Sequence, residues 1–208
     1  MDIVVATRNK GKLKEIKEIL KGLDVNLLSL DDFSDLPDVV EDGLTFKNNA
    51  LKKAKIISEI TGFPVISDDS GLQIDVLNGQ PGIHSARFSG DNAKDADNIK
   101  KVLDLIKDVP EQKRTARFKA VLCLYFSKRK VKFTEGTCEG RMIFAPRGEN
   151  GFGYDPIFVP KGYKKTFAEL SGKTKNRISH RAKAMKEMKK IIGSMVKGAG
   201  SGARKFFS

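Results

Sequence analysis

Two neighbouring carboxylates are the clearest candidates for chemistry in this sequence. Asp68 and Asp69 follow, after Ser67, a short apolar run at residues 64–66, which is typical of a buried strand. Paired carboxylates at the end of a strand can ligate a hard cation and activate a water molecule bound to it. Ser70 and Gly71 come next, and Asp, Ser and Gly are common in turns, so a solvated turn is the alternative interpretation.

A basic turn at residues 7–12 follows the strand-like residues 3–6 and precedes a helical pattern. The backbone N–H groups at the start of a helix favour a bound anion, and lysines in the turn add positive charge. The turn is not a Walker-type P-loop, which would have Gly in place of Ala6 and Ser or Thr in place of Leu13. The pattern predicts a phosphate site of another kind, with an ordinary capped helix as the alternative.

Two further segments could recognise a flat, polar ligand. The loop at residues 151–156 combines two glycines with Phe152 and Tyr154, whose rings could stack on a base, although a packed surface loop would have the same composition. Near the start of the last helical pattern, His180 and Arg181 offer hydrogen-bond donors. A histidine on the helix surface with no role in binding is the alternative there.

The elements that must position these residues alternate between strands and helices. The apolar patterns predict strands at residues 3–6, 25–28, 64–66, 117–126 and 131–137 and a short hairpin over 72–81. They also predict a first helix with its apolar face at residues 13–20 and further helices over 45–57, 95–107 and 176–192. Alternation early in the chain, followed by two long strands, predicts an α/β fold with a mixed central sheet flanked by helices. The placement of the polar loops suits two lobes with the active-site cleft between them.

The positive charge of the chain is concentrated at one end. Of a net charge of +13, residues 161–208 account for twelve, with 14 Lys and Arg against two acids. Such a segment could bind a nucleic-acid backbone, a membrane surface or a small polyphosphate, or be a solvated helix face. We expect a single domain over residues 1–193 and a flexible basic tail over 194–208.

The composition also bears on location. The longest apolar run, residues 121–126, is far shorter than the roughly 20 residues of a membrane span. The two cysteines are too few for a disulfide framework or a metal knuckle, and the first residues lack a basic export signal. We therefore expect a cytoplasmic protein without a membrane partner.

Taken in order, five motifs resemble the inosine/xanthosine triphosphate pyrophosphatase family, the Ham1-like or RdgB-like enzymes that act on non-canonical purine nucleotides. The motifs are Thr7-x-Asn9-x-x-Lys12, the segment 67–72 (SDDSGL), the segment 81–87 (PGIHSAR), the segment 151–156 (GFGYDP) and Ser179-His180-Arg181. The resemblance extends from about residue 2 to residue 193. It implies a two-lobed homodimer that hydrolyses ITP, dITP or XTP to the monophosphate and pyrophosphate with Mg²⁺.

The resemblance also assigns roles to residues. Asp69 matches the proton acceptor and metal ligand, and Glu41 matches a second Mg²⁺ ligand, while Asp38 and Asp42 in the same loop stay open as alternatives to Glu41. The residues matched to substrate binding are Thr7, Arg8, Asn9, Lys10, Gly11, Lys12, Lys53, Ser70, Phe152, Gly153, Tyr154, Asp155, Lys175, His180 and Arg181.

Two other functions are compatible with parts of the sequence. A nucleic-acid-binding module would use the basic C-terminal segment and bind in a salt-sensitive way, but it leaves Asp68, Asp69 and the loop at residues 151–156 without a role. We therefore expect no stable nucleic-acid partner. A Maf-like pyrophosphatase acting on pyrimidine or modified nucleotides is the second alternative, and Ser179-His180-Arg181 together with the segment at residues 152–155 argues against it.

Overall fold

A six-stranded sheet runs through the structure, a computed structural model that describes residues 1–202. The strands are β1 (Asp2–Ala6), β2 (Asn26–Ser29), β3 (Val65–Ile74), β4 (Thr115–Ser127), β5 (Lys130–Met142) and β6 (Phe158–Pro160). They lie in the order β2-β1-β3-β4-β5-β6. Because β1 pairs in parallel with β2 and β3, whereas β5 and β6 are antiparallel, the sheet is mixed, as predicted.

Within residues 1–202, five α-helices accompany the sheet. They are α1 (Lys10–Leu20), α2 (Phe46–Thr61), α3 (Asp95–Leu105), α4 (Gly172–Ile178) and α5 (His180–Gly202), with short 3₁₀ turns at Leu30–Asp32, Asp75–Leu77, Gly82–Arg87, Glu111–Lys113, Asp155–Ile157 and Phe167–Glu169. The predicted α/β class with helices flanking a mixed sheet is confirmed. No helix within the described part of the chain is both long enough and apolar enough to cross a membrane.

The chain divides into two compact units. The first consists of Met1–Asp68, Val121–Thr134 and the segment that begins at Ala184, and the second of Asp69–Ala120 and Glu135–Lys183. Each has its own apolar core. The first core includes Val4, Ala6, Ala50, Ala54, Ile57 and Val65, and the second includes Leu72, Ile74, Phe118, Met142, Phe158 and Phe167.

Strand β3 is longer than the sequence pattern indicated. We expected a strand that ended at Ile66, with the two aspartates just beyond its end. Instead, β3 continues through Asp68 and Asp69 to Ile74, because Leu72 and Ile74 are fully buried and keep the strand in an apolar core. The predicted hairpin follows, with Asn78 and Gly79 at positive φ and a bridge between residues 73 and 81.

The last predicted helix is two helices. We expected one helix over residues 176–192, but α4 ends at Ile178 and α5 begins at His180. Ser179 separates them because its backbone is extended and its side chain accepts a hydrogen bond from the N–H of Ala182, which is the arrangement of an N-cap. His180 and Arg181 consequently lie in the first turn of α5.

Helix α5 also extends beyond its predicted end. It reaches Gly202, so residues 194–202, the first part of the tail that we expected to be flexible, are helical in the structure. A helix can continue past its packed part because each added residue gains a hydrogen bond without a new nucleation cost. The remainder of the predicted tail, residues 203–208, lies outside the described residues.

Several lysines of the basic C-terminal segment bind the protein itself. Lys189 Nζ donates hydrogen bonds to the carbonyl oxygens of Ile19 and Lys21, each 2.8 Å away, at the C-terminus of α1. A cation is favourable there because the last carbonyl groups of a helix lack partners. Lys183 Nζ likewise donates to the carbonyl of Thr137 at 2.7 Å. These lysines have roles in the fold that do not require a nucleic acid.

Candidate active site

The basic turn between β1 and α1 is held by its own polar side chains. Asn9 is the N-cap of α1, and its Oδ1 accepts a hydrogen bond from the N–H of Lys12 at 3.0 Å. Thr7 Oγ1 in turn accepts from the N–H of Asn9 at 3.2 Å. Lys10 and Gly11 form the first residues of the helix. The turn is therefore a capped helix start. Whether it can also bind phosphate depends on where its lysines lie.

Two lysines from different helices meet at Asp68. Lys12 Nζ lies 2.6 Å from a carboxylate oxygen of Asp68, and the side chains are 17% and 0% exposed respectively. Lys53 Nζ of α2 donates to the backbone carbonyl of Asp68 at 3.0 Å. Two of the lysines matched to substrate binding therefore lie against the same strand residue.

The three candidate acids of the loop before α2 differ in their surroundings. Glu41 forms an ion pair with Lys53, and the Glu41 side chain is 25% exposed. Asp38 pairs with Arg8 at 2.6 Å and is 85% exposed. Asp42 pairs with Lys52 at 2.6 Å and is 65% exposed. Of these three acids, Glu41 alone pairs with a lysine that also contacts Asp68. This makes Glu41 the strongest of the three candidates for the metal ligand.

The hydrogen bond from Lys52 also affects the titration of Asp42. It holds the pKa of the Asp42 carboxyl below the ordinary value for aspartate. Asp42 is thus an ionised surface residue with a partner of its own.

The two aspartates of β3 differ in direction although they are adjacent. Successive side chains of a strand point to opposite faces of the sheet, so Asp68 and Asp69 leave β3 on opposite faces, and Asp69 shares a face with Ser67. The Ser67 hydroxyl donates to the carbonyl of Ala50 in α2 at 2.6 Å. Asp69 is buried, with 4% of its surface exposed.

A second buried ion pair organises the glycine-rich loop. Lys175 Nζ of α4 lies 2.6 Å from Asp155 Oδ2, and both side chains are almost fully buried. The same oxygen accepts a hydrogen bond from the N–H of Phe152 at 2.9 Å. Gly151 must lack a side chain, because a Cβ there would lie 2.0 Å from Asp155 Oδ2. Asp155 therefore fixes the loop and orients Lys175 at once.

Two cationic groups lie close to the ring of Phe152. Lys175 Nζ is 4.5 Å and Arg181 Cζ 5.5 Å from the centre of the ring. Arg181 Nη2 also donates to the hydroxyl of Ser70 at 2.9 Å. His180 stacks on Phe118 with ring centres 4.8 Å apart. The second unit thus brings together five of the predicted substrate residues: Ser70, Phe152, Asp155, Lys175 and Arg181.

The two aromatic residues of the loop have different environments. Tyr154 is buried in the apolar core, and its hydroxyl donates to the carbonyl of Ser85 at 2.9 Å. Burial raises the pKa of the Tyr154 phenol, which keeps it protonated as a donor. Phe152 is only partly buried, so it is the better candidate of the two for stacking on a base. Between them, the N–H of Gly153 donates to Asp95 at 2.6 Å.

Two groups that support the site were not among the predicted site residues. Asp68 was noted as half of a carboxylate pair, and the structure makes it the partner of Lys12 and Lys53. Ser85 accepts from the N–H of Leu72 and, through its carbonyl, from Tyr154. The motif at residues 81–87 was the available signal for Ser85, but spacing alone does not reveal which groups its hydroxyl and carbonyl contact.

Comparison with known proteins gives one consistent result. The model of the Ham1 family matches residues 3–191. The dITP/XTP pyrophosphatase of Geobacter sulfurreducens is 49% identical over 191 residues, which are 92% of this chain and 96% of the relative. The dITP/XTP pyrophosphatase of Desulforamulus reducens is 45% identical over 195 residues, 94% and 97% of the two chains.

Solved structures agree with the sequence comparisons. A HAM1 protein from Coxiella burnetii superposes with a TM-score of 0.85 at 39% identity, covering 93% of this chain and 99% of the other. The Ham1 protein of Staphylococcus aureus gives a TM-score of 0.83 at 36% identity and covers 94% and 100% of the two chains. The similarity extends to both compact units.

The buried pair gives a test of the site's construction. Asp155→Asn should lower the free energy of unfolding by about 3 kcal/mol, because removing one member of a buried pair leaves the other charge without compensation. Urea unfolding followed by circular dichroism measures this loss. Glu187→Gln is the matched control, since Glu187 pairs with Lys190 in an ion pair exposed at both ends, and it should change stability by less than about 0.5 kcal/mol. Equal effects in the two variants would refute this role of Asp155.

Proposed function

This chain belongs to the Ham1 family, and we propose that it hydrolyses the non-canonical purine nucleoside triphosphates dITP, ITP and XTP to the monophosphate and pyrophosphate. The enzyme is thus a nucleoside triphosphate pyrophosphatase that removes damaged nucleotides. One observation carries the assignment to residues: Lys12 and Lys53 both lie against Asp68, directly before Asp69 in the chain.

The phosphate end of the substrate is assigned to the first unit. Lys12 and Lys53 carry positive charges whose side chains are only 17% and 12% exposed, so their attraction for phosphate oxygens is weakly screened. The helix start at residues 9–12 adds backbone donors to the same region. Positive groups fixed in place before the substrate arrives can stabilise the charge that develops on the pyrophosphate leaving group.

Asp69 is the proposed proton acceptor. A carboxylate within hydrogen-bond reach of the attacking water can take its proton as the bond to the α-phosphorus forms. The pleat of β3 separates Asp69 from the charge of Asp68, which Lys12 balances. The proposed catalytic carboxylate therefore lies on the face of the strand opposite the Lys12–Asp68 pair.

Mg²⁺ is the proposed cofactor, held by Glu41 and Asp69. No group of three or more His, Cys, Asp or Glu residues suited to a metal occurs within residues 1–202. Mg²⁺ fits nonetheless, because it commonly binds one or two carboxylates together with water and substrate phosphates. Oxygen donors already converge on a cation here, since Lys53 contacts both the Glu41 carboxylate and the Asp68 carbonyl. When bound, Mg²⁺ would neutralise phosphate charge and orient water.

The base end of the substrate is assigned to the second unit. Phe152 offers a ring for stacking, and Lys175 and Arg181 surround that ring with groups that can only donate hydrogen bonds. Inosine and xanthine carry an acceptor oxygen at position 6, whereas adenine carries an amino donor there. The amino group of an adenine base would therefore face the donor groups of Lys175 and Arg181 and find no acceptor there.

Homodimerisation, a cytoplasmic location and the absence of a stable nucleic-acid partner remain predictions.

A panel of nucleotides tests the function and its base selectivity together. We expect ITP and XTP to exceed ATP in kcat/KM by at least about 10², because sites built on hydrogen bonds reject mismatched analogues strongly. Monophosphate and pyrophosphate should be the products, so a phosphate assay should respond only after inorganic pyrophosphatase is added. GTP belongs in the panel because it shares the 6-oxo group, and its exclusion would have to act at its 2-amino group. His180→Ala and Arg181→Ala should reduce the preference for ITP over ATP.

Two outcomes of the panel would contradict the proposal. Comparable rates for ATP and ITP in the wild-type enzyme would refute recognition of the base. Accumulation of a nucleoside diphosphate would refute the proposed position of bond cleavage.

The adjacent aspartates form a matched pair of variants for the catalytic role. Asp69→Asn should lower kcat by about 10² or more, the scale of removing a general base, while the circular dichroism spectrum is unchanged. Asp68→Asn should have the smaller effect on kcat and the larger effect on stability, since it leaves Lys12 without its buried partner. Steady-state kinetics and thermal unfolding of both variants distinguish these effects. A nearly active Asp69→Asn beside an inactive Asp68→Asn would move the role to Asp68.

A further inference from the structure

Three side chains of α2 hold the acidic loop that precedes the helix. Asn49 Oδ1 accepts a hydrogen bond from the N–H of Gly43 at 2.7 Å, Lys52 binds Asp42 and Lys53 binds Glu41. Positions 49, 52 and 53 are three and four residues apart, so they share one face of the helix. The loop therefore lies along α2 with each of residues 41, 42 and 43 attached to a different side chain.

Asn49 is a polar residue at a fully buried position of α2. It is fully buried next to Ala50, and within the described residues its Nδ2 makes no hydrogen bond. An unsatisfied buried polar group costs about 1–3 kcal/mol. The helix does not need Asn49 as a cap, because Thr45 already caps α2 by accepting from the N–H of Asn48. The bond to Gly43 is the interaction that accounts for an amide at this position.

Gly43 lies so close to Asn49 that there is no room for a side chain at position 43. A Cβ on Gly43 would lie 2.7 Å from Asn49 Oδ1 and 2.9 Å from Asn48 Cβ, which is closer than such atoms pack. Because Gly43 N–H is a donor, the atom of Asn49 that faces it must be the oxygen. Asn49 and Gly43 thus form a single contact that either residue can break.

The two acids that precede this contact pair with different lysines. Glu41 is two residues before Gly43 and pairs with the buried Lys53, whereas Asp42 turns to the exposed Lys52. A shift of the loop by one residue would exchange the two acids. We propose that Asn49 is a positioning residue that fixes the loop through Gly43, so that Glu41 rather than Asp42 is presented as the metal ligand. This inference rests on the proposed function, in which Glu41 holds Mg²⁺.

The test measures metal binding directly in the full-length protein, with Mn²⁺ as a paramagnetic substitute for Mg²⁺ and no nucleotide present. Asn49→Leu removes the acceptor at similar volume and should raise the Kd for Mn²⁺ by about 10-fold or more, the scale seen when a group that orients a metal ligand is lost. Gly43→Ala should do the same by blocking the contact from the other side. Asn49→Asp keeps an acceptor oxygen in the same place, and burial favours the neutral, protonated form of a carboxyl group. This variant should therefore stay within about 3-fold of the wild type.

Lys52→Met is the control for a general effect on the loop. It removes the partner of Asp42 but not that of Glu41 or Gly43, and it should leave the Kd for Mn²⁺ within about 3-fold of the wild type. Hydrogen exchange of the Gly43 amide is a readout independent of metal. The amide should be protected in the wild type and in Asn49→Asp, and should exchange faster in Asn49→Leu.

The outcomes separate this inference from the proposed function. Glu41→Gln should weaken Mn²⁺ binding, and an unchanged Kd in that variant would overturn the metal assignment and, with it, the role of Asn49 toward the metal. If Glu41→Gln weakens binding while Asn49→Leu binds like the wild type, the inference about Asn49 alone is overturned. Weak binding by Asn49→Asp equal to that of Asn49→Leu, with the same unfolding temperature, would also contradict it.

Discussion

The ion pair between Lys12 and the buried carboxylate of Asp68 is the interaction on which the rest of the candidate site depends. A carboxylate that is fully removed from water costs several kcal/mol unless a partner compensates its charge, and Lys12 lies 2.6 Å away. Lys53 adds a hydrogen bond to the carbonyl of the same residue. These contacts attach the first turn of α1 and the middle of α2 to β3, and they hold two ammonium groups beside the strand. The opposite direction of Asp69 follows from the pleat, so the paired carboxylate of Asp68 and the proposed proton acceptor lie on opposite faces of the strand.

Asp155 has the corresponding role in the second unit. Its carboxylate binds Lys175 and the backbone of Phe152, so a single side chain fixes both a cation and the aromatic ring beside it. A buried ion pair rarely stabilises a fold more than apolar residues of similar size would. We interpret this pair as a device for orientation. A lysine held in one direction can discriminate between an acceptor and a donor on a base, whereas a mobile lysine in water cannot.

The parts of the structure that the sequence predicted depend on contacts between near neighbours. The capping of α1 by Asn9 involves a residue three positions away, and the alternation of strands and helices follows from periodicity. The extension of β3 depends instead on Leu72 and Ile74 packing in a core built from distant segments. Ser179 divides the final helix because it caps the second half. The apolar pattern continues across Ser179, so it does not indicate this break. The site residues were predicted by type and motif. Their partners, such as Asp68 for Lys12, are distant in the sequence, and the spacing of nearby residues does not reveal them.

The position of water attack tests the central claim most directly. Asp69 is proposed to take a proton from water that attacks the α-phosphorus. Hydrolysis of ITP in water enriched in ¹⁸O should therefore place one ¹⁸O atom in the inosine monophosphate and none in the pyrophosphate, as read by mass spectrometry of both products. Attack at the β-phosphorus would give the same two products with the label in pyrophosphate. Label in the pyrophosphate would contradict the account, whatever the rates on other substrates.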